Sequence, residues 1–245
     1  MNRTTPYNIK NLLVLDIETV PLYEHFNELS DQWKVLWADK ISKTMPEKFS
    51  PEEWYPQRAG IMAEFGKIIC ISTGFFYYDT AARLCFRIKS YANADEKKLL
   101  QQFTGKLESF QKAVPDFYFA GHNVKEFDIP FISRRLMMNN MQLPSFMQFS
   151  GKKPWETNML DTLQLWKFGD YKNYTSLKLL AAALNIETSK DDMDGSMVRD
   201  VYYKEKNLNK IIDYCQKDVV ATARIILRLI NEPDLPDANI FIAEE

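Results

Sequence analysis

The sequence predicts an α/β fold, a five-stranded mixed sheet flanked by helices, with a helical insertion after the first strand. Three observations predict it. Residues 67–78 and 82–90 are β-branched and aromatic runs whose short link makes a hairpin. Beyond residue 95, segments of helical spacing alternate with short apolar runs, so later strands are joined by helices. A strand meander followed by helix-linked strands gives a mixed sheet with helices on its faces.

The elements follow in order. Residues 11–18 place four consecutive apolar residues before Asp-Ile-Glu, and Val20-Pro21 is expected to stop this first strand, because proline cannot donate to a ladder. Residues 22–66 carry Trp33, Trp37 and Trp54 at mostly helical spacing, and Ser50-Pro51-Glu52-Glu53 is a capping box with proline at the first helical position. This insertion is expected to pack beside the functional site, its tryptophans acting as buried staples, with a substrate-facing lid as the alternative. The hairpin at 67–78 and 82–90 comes next, then a helix over 95–112 with Leu99, Phe103, Leu107 and Phe110 on one side. A short strand at 116–121, a helix at 129–140, a strand at 158–162 and helices at 177–184 and 209–229 complete the order. No repeat, low-complexity tract or linker divides the chain, so 1–245 reads as a single domain.

Bulk properties bound the function. Apolar residues are 46% and aromatics 13%, enough for a filled core. The net charge of −2 excludes a strongly basic nucleic-acid coat but leaves room for local acidic and basic regions. Three widely spaced cysteines, Cys70, Cys85 and Cys215, read as reduced and buried, and two histidines are too few for a histidine-based zinc cage. No apolar run approaches the ~20 residues of a membrane span, and the polar start has no secretory core. The expectation is a cytoplasmic protein with no membrane partner.

Acids in apolar surroundings carry the functional information. Asp16 and Glu18 are two apart on a predicted strand, hence on one face, their Cα atoms roughly 7 Å apart. Ionised carboxylates in such a setting repel each other and are costly unless something neutralises them, and a shared divalent cation would do so. Asp128, before Ile129-Pro130, taken alone reads as a helix N-cap. Tyr214 and Asp218 are four apart, on one face of the last helix beside a stripe of Ile211, Cys215, Val219 and Ile226. Individually, Asp218 could be a salt-bridge partner and Tyr214 a half-buried aromatic.

Taken together and in order, LDIET, HNVKEFD and YCQKD resemble the three motifs of the DEDD superfamily of 3′–5′ exonucleases. The tyrosine four residues before the last aspartate resembles the DEDDy branch. EFGKIICIS and the spacing to HNVKEFDIPFI are similar to stand-alone exonucleases related to the proofreading domain of family B DNA polymerases. The resemblance implies a ribonuclease H-like fold and two divalent ions, Mg²⁺ or Mn²⁺. It implies that Asp16 bridges both ions, that Glu18 and Asp218 help hold one, and that Asp128 reaches the other. Tyr214 would orient the attacking water, Asn123 and Phe127 would border the terminal nucleotides, and Thr19 would contact the 3′ end. The expected substrate is the 3′ end of DNA, single-stranded or frayed. A 3′ RNA-trimming enzyme and a catalytically silent binding protein are the alternatives.

Lys152, Lys153, Lys167, Lys172 and Lys178, interleaved with Trp155, Trp166, Phe168, Tyr171 and Tyr174, suit a single strand or a solvated loop equally. Asp161 reads as a turn or cap, with a supporting role at the site as the other option. His122 is expected to bond within its motif loop, and Asp191, Asp192 and Asp194 to form a solvated acidic loop.

Overall fold

The computed structural model describes residues 7–153, 156–170, 172–187 and 193–243. Its strands are β1 (Leu12–Pro21), β2 (Gly66–Tyr78), β3 (Leu84–Ala92), β4 (Tyr118–Gly121), β5 (Met159–Asp161) and β6 (Ile240–Ile242). They form one sheet in the order β5-β4-β1-β2-β3-β6. β2 is antiparallel to β1 and to β3, whereas β4 is parallel to β1 and β5, and β6 to β3. This is the mixed, ribonuclease H-like architecture expected, with six strands in place of five. The extra strand, Ile-Phe-Ile, is too short to show a period of two, so only its pairing with Phe86–Ile88 reveals it.

The helices are α1 (Asp31–Ile41), α2 (Pro51–Arg58), α3 (Glu96–Ala113), α4 (Asp128–Met138), α5 (Thr162–Lys167), α6 (Leu177–Ala183), α7 (Val198–Asp200) and α8 (Leu208–Leu229). α7 runs into a π-helical turn, Val201–Glu205, that the sequence pattern did not announce. Alternation along β1 separates two cores. Leu13, Leu15 and Ile17 face Leu99, Phe103 and Leu107 of α3 and Phe131, Ile132 and Leu136 of α4. Leu12 and Val14 face Val219, Ala223 and Ile226 of α8, and the α8 stripe continues through Cys215 and Ile211 under Val20 and Ile69. The face that continues through Asp16 and Glu18 is therefore the α8 face.

Two features fix the sheet near the site. β1 does not stop before Val20-Pro21. A bulge between Glu18 and Thr19 shifts the register, and pairing resumes from Thr19 with Ile68 to Pro21 with Gly66. Proline is accommodated at the last ladder position, where a strand end tolerates it. Further along, Gly74 lies against the Phe86 ring so closely that a Cβ would stand 2.2 Å from its tip, so any larger residue would force the ring to move.

The insertion builds a small core of its own. Trp37 is fully buried and donates its indole N–H to the Pro51 carbonyl at 2.8 Å, with edge-on contacts to Tyr55 and Phe65. Trp33 and Trp54 pack half-buried around it. The expected capping box forms, with Ser50 Oγ accepting the Glu53 N–H and Glu53 accepting the Ser50 N–H. The tryptophans are thus staples, as expected of their spacing. The loop is tied to the sheet by Leu22 N–H donating to the Phe65 carbonyl at 2.8 Å.

One buried ion pair joins the α3/α4 layer. Arg135 donates to both Glu96 carboxylate oxygens, at 2.9 and 3.1 Å from Nε and 2.5 Å from Nη2. Glu96 also accepts the Ile68 N–H and the Asn139 amide. Those bonds satisfy lone pairs that would otherwise be costly in the interior. All three cysteines are buried and unbridged. Among the described residues no helix is long and apolar enough to cross a membrane.

Candidate active site

The convergence of acids at the middle of β1 follows from three chain segments. Asp16 and Glu18 project from the α8 face of β1, Glu18 buried and Asp16 partly open. The bulge just after Glu18 ends the regular register there and turns the following residue, as bulges do beside active sites. α8 crosses this face and brings Tyr214 and Asp218, one helical turn apart.

Asp128 arrives from the opposite layer, at the first turn of α4. It is not the N-cap that its local pattern suggested: Phe127 holds that position and makes no side-chain cap. The buried Asp128 carboxylate instead accepts the Ile17 N–H at 3.2 Å, which pins the start of α4 to the middle of β1. Its position is thus set by a partner 111 residues away, out of reach of local reading.

All five residues line one cleft of ≈ 350 Å³, together with Asn123, Phe127, His122 and Tyr174. Glu18 and Phe127 also border an adjoining cavity of ≈ 680 Å³, whose walls include Thr19, Arg199, and Gln57, Gly60 and Ile61 of the insertion. So Thr19 sits beside the acids but in the second cavity, and Asn123 in the first. The insertion supplies a wall of the site, a role its tryptophans do not share.

Electrostatics reports how close the acids are. Asp16 is pushed well above the carboxylate range by burial, then by Glu18, Asp128 and Asp218. Glu18 is raised by burial, then by Asp218, Cys70 and Asp128. Burial lifts Asp128 to about 7, against the lowering effect of its backbone hydrogen bonds. Burial likewise lifts Asp218 to about 6, opposed by its hydrogen bond with Tyr214. Among the described residues that line this cleft there is no lysine or arginine. Four crowded carboxylates in a cleft lined by no cationic side chain are a donor set that fits hard divalent ions.

Three neighbours support the acids. Cys215 directs its thiol to the Asp16 carbonyl and to Asp16 Oδ2, each at 3.4 Å. Its sulfur and one oxygen each of Asp16 and Glu18 lie within 4.8 Å of one another, a trio that does not extend to Asp128 or Asp218. The sequence marked Cys215 only as part of an apolar stripe.

Asp161 does more than cap α5. Besides accepting the Leu163 and Gln164 N–H groups, it accepts those of Asn123 at 3.1 Å and Lys125 at 3.0 Å, so it shapes the loop that leads to Asp128. His122 bonds outside its own loop, to Thr162 Oγ1 and to the Thr175 carbonyl, both at 2.9 Å. A carbonyl only accepts, so Nε2 carries the proton, and burial keeps the ring neutral by lowering its pKa.

Asn123 adopts φ 66°, a left-handed conformation that asparagine tolerates, and its Oδ1 is buried without a partner. Of the basic and aromatic stretch, Tyr174 reaches the cleft, 66% exposed, while Trp166 packs half-buried on α6 and α8. Trp155 and Tyr171 lie outside the described residues, as do Asp191 and Asp192. Asp194 closes a turn onto Ser196, and the following Gly195 lines both cavities.

Residues 61–234 match the family described as predicted 3′–5′ exonucleases related to the exonuclease domain of PolB. The chain belongs to that family. The match spans Asp128, Tyr214 and Asp218, and a nucleic-acid substrate is what the family implies. No curated protein matches the chain. Among solved structures it is similar to the family B DNA polymerase of the hyperthermophilic archaeon Pyrobaculum calidifontis, at 14% identity and a TM-score of 0.49. That likeness covers 88% of this chain and 24% of the polymerase.

Proposed function

We propose that the chain is a metal-dependent exonuclease that removes nucleotides from the 3′ end of single-stranded DNA, with Asp16, Glu18, Asp128 and Asp218 holding two divalent ions, Mg²⁺ or Mn²⁺. The observation that carries this reading is the meeting of four carboxylates from β1, α4 and α8 in one cleft, where burial raises all four and the neighbouring acids raise Asp16 and Glu18 further. When bound, such ions supply Lewis-acid stabilisation of the phosphate and a water acidic enough to attack it.

The chain's own residues do the rest. Asp16 is oriented by the Cys215 thiol, and Asp128 by the Ile17 N–H. Tyr214 is kept protonated, because burial first, then Asp218, Glu18 and Asp16, raise its pKa. It therefore positions a water by hydrogen bonding and takes no proton at neutral pH. The unpartnered Asn123 Oδ1 offers an acceptor to a substrate hydroxyl or amino group. Phe127, shared by both cavities, and Thr19 in the adjoining one suit the terminal nucleotide. Gln57, Gly60 and Ile61 wall the cavity beside Thr19, where the chain end would sit.

The test is one oligonucleotide labelled at its 5′ end in one arm and at its 3′ end in the other, with Mg²⁺, Mn²⁺ or chelator. A descending ladder from the first arm and immediate mononucleotide release from the second support the proposal. Internal cuts, cleavage that survives chelation, or no cleavage would overturn it. An RNA of the same sequence decides the sugar preference through the 2′-hydroxyl.

A further inference from the structure

The segment that delivers Asp128 has a second side. Phe127 and Asp128 line the catalytic cleft, whereas Lys125, Glu126, Ile129 and Pro130 line a separate groove of ≈ 760 Å³. The groove runs along the Pro130, Ser133, Arg134 and Met137 face of α4, against the chain that leads into β5. Its surface is apolar, with Met137 66% exposed beside Leu143 and Phe149. Three cations, Lys125, Arg134 and Lys152, stand among these residues, and among the described residues no salt bridge occupies any of them. Lys152 lies 5.6 Å from the centre of the Phe149 ring. Glu126 is the sole acid of the lining, and Gln164 donates to it at 3.0 Å.

We infer that this groove carries the upstream nucleotides of the same single strand whose 3′ end enters the catalytic cleft. The inference rests on the exonuclease reading and extends it to substrate path. Charge and surface agree with that occupant: cations that no described carboxylate neutralises meet phosphates, and an apolar floor with an aromatic ring receives unstacked bases. Continuity agrees as well. Groove and cleft share one short segment, and Asp161 anchors its backbone by accepting the N–H groups of both Asn123 and Lys125. A strand crossing that segment meets both surfaces in a fixed relation. A peptide partner would use the apolar floor but has no need of three cations around it.

The experiment compares a trinucleotide with a dodecanucleotide of single-stranded DNA. Binding is read by fluorescence anisotropy in chelator, hydrolysis in Mn²⁺, on the full chain and on two variants. The first is the double variant Arg134→Ala/Lys152→Ala; the second is Met137→Glu. All three positions are exposed, so the fold is expected to survive, as circular dichroism would check. The double variant should bind the dodecanucleotide roughly tenfold more weakly, with a log K against log salt slope shallower by about 0.7 for each charge removed. Met137→Glu should weaken it by roughly tenfold too. Hydrolysis of the trinucleotide, which ends before the groove, should stay at the wild-type rate.

Wild-type affinity and salt slope in both folded variants would overturn the inference, and that is the outcome a peptide groove gives. Equal loss on the trinucleotide would overturn it as well. Groove-dependent binding by a wild-type chain that hydrolyses neither strand would retain the groove and remove the exonuclease reading.

Discussion

Replacing Asp128 by asparagine should stabilise the metal-free protein at the same time as it disables it. The side chain is 3% exposed, and burial lifts its pKa from the ordinary 3.8 to about 7. The sign follows from proton uptake. Between these two values the folded state holds a proton that the unfolded state has released, so stability falls as pH rises through this window. Below it the carboxyl is neutral in both states and nothing is lost; above it the full penalty of a buried charge is present. At 1.36 kcal/mol per tenfold change, the penalty at pH 8 is roughly 4 kcal/mol. Asparagine cannot ionise, yet its Oδ1 can still accept the Ile17 N–H. The variant should therefore gain on the order of 2–4 kcal/mol in chelator at pH 8, with the gain fading toward pH 4. For a chain of this size that corresponds to a Tm higher by roughly 4–15 °C. Thermal melts at several pH values, with and without Mn²⁺, would measure it. Mn²⁺ should raise the wild-type Tm far more than that of the variant, because the ion binds the folded state through the carboxylate. An asparagine variant equal to or less stable than wild type at pH 8 in chelator would refute the claim that the cleft holds an uncompensated buried charge.

Other outcomes are as direct. Asp16→Ala and Asp218→Ala should leave a folded chain whose metal-dependent degradation of DNA is lost, and near-wild-type turnover in either would end the assignment. Tyr214→Phe should slow turnover by roughly tenfold, the size of one lost hydrogen bond to a positioned water, with Mn²⁺ affinity by calorimetry unchanged. Arg135→Ala strands the buried Glu96 and should cost about 3–5 kcal/mol in urea melts. Gly74→Ala drives a Cβ to 2.2 Å from the Phe86 ring and should cost about 1–3 kcal/mol, recovered in part by Phe86→Leu.

The readable parts of this molecule are those governed by local period. Asp16 and Glu18 share a face because strands alternate, and Tyr214 and Asp218 share one because helices repeat near every fourth residue. The capping box of α2 announced itself in four letters, and the buried stripe of α8 lay where its spacing put it. What stayed hidden depends on distant partners. Asp128 resembled an N-cap because its neighbours fit one, but its carboxylate is committed to Ile17. Cys215 looked like filler, although its thiol reaches Asp16. Gln57, Ile61 and Arg199 carry no local mark as cleft walls, since only the packing of the insertion and of α7 around β1 brings them there. The bulge after Glu18 has no signature in Glu-Thr-Val-Pro beyond the proline, which pointed to an end where the strand continues.

The short β6 has a consequence for solubility. β3 offers nine residues of ladder on its outer side, and Phe86–Ile88 would lie open there were β6 not paired with them and the Ala243 N–H not donated to the Ile88 carbonyl. Bare strand borders of that length recruit foreign strands and seed precipitation. At the far border β5 is only three residues long and offers little to copy. A chain cut back before residue 236 should therefore keep its carboxylate cluster yet be prone to clump on concentration.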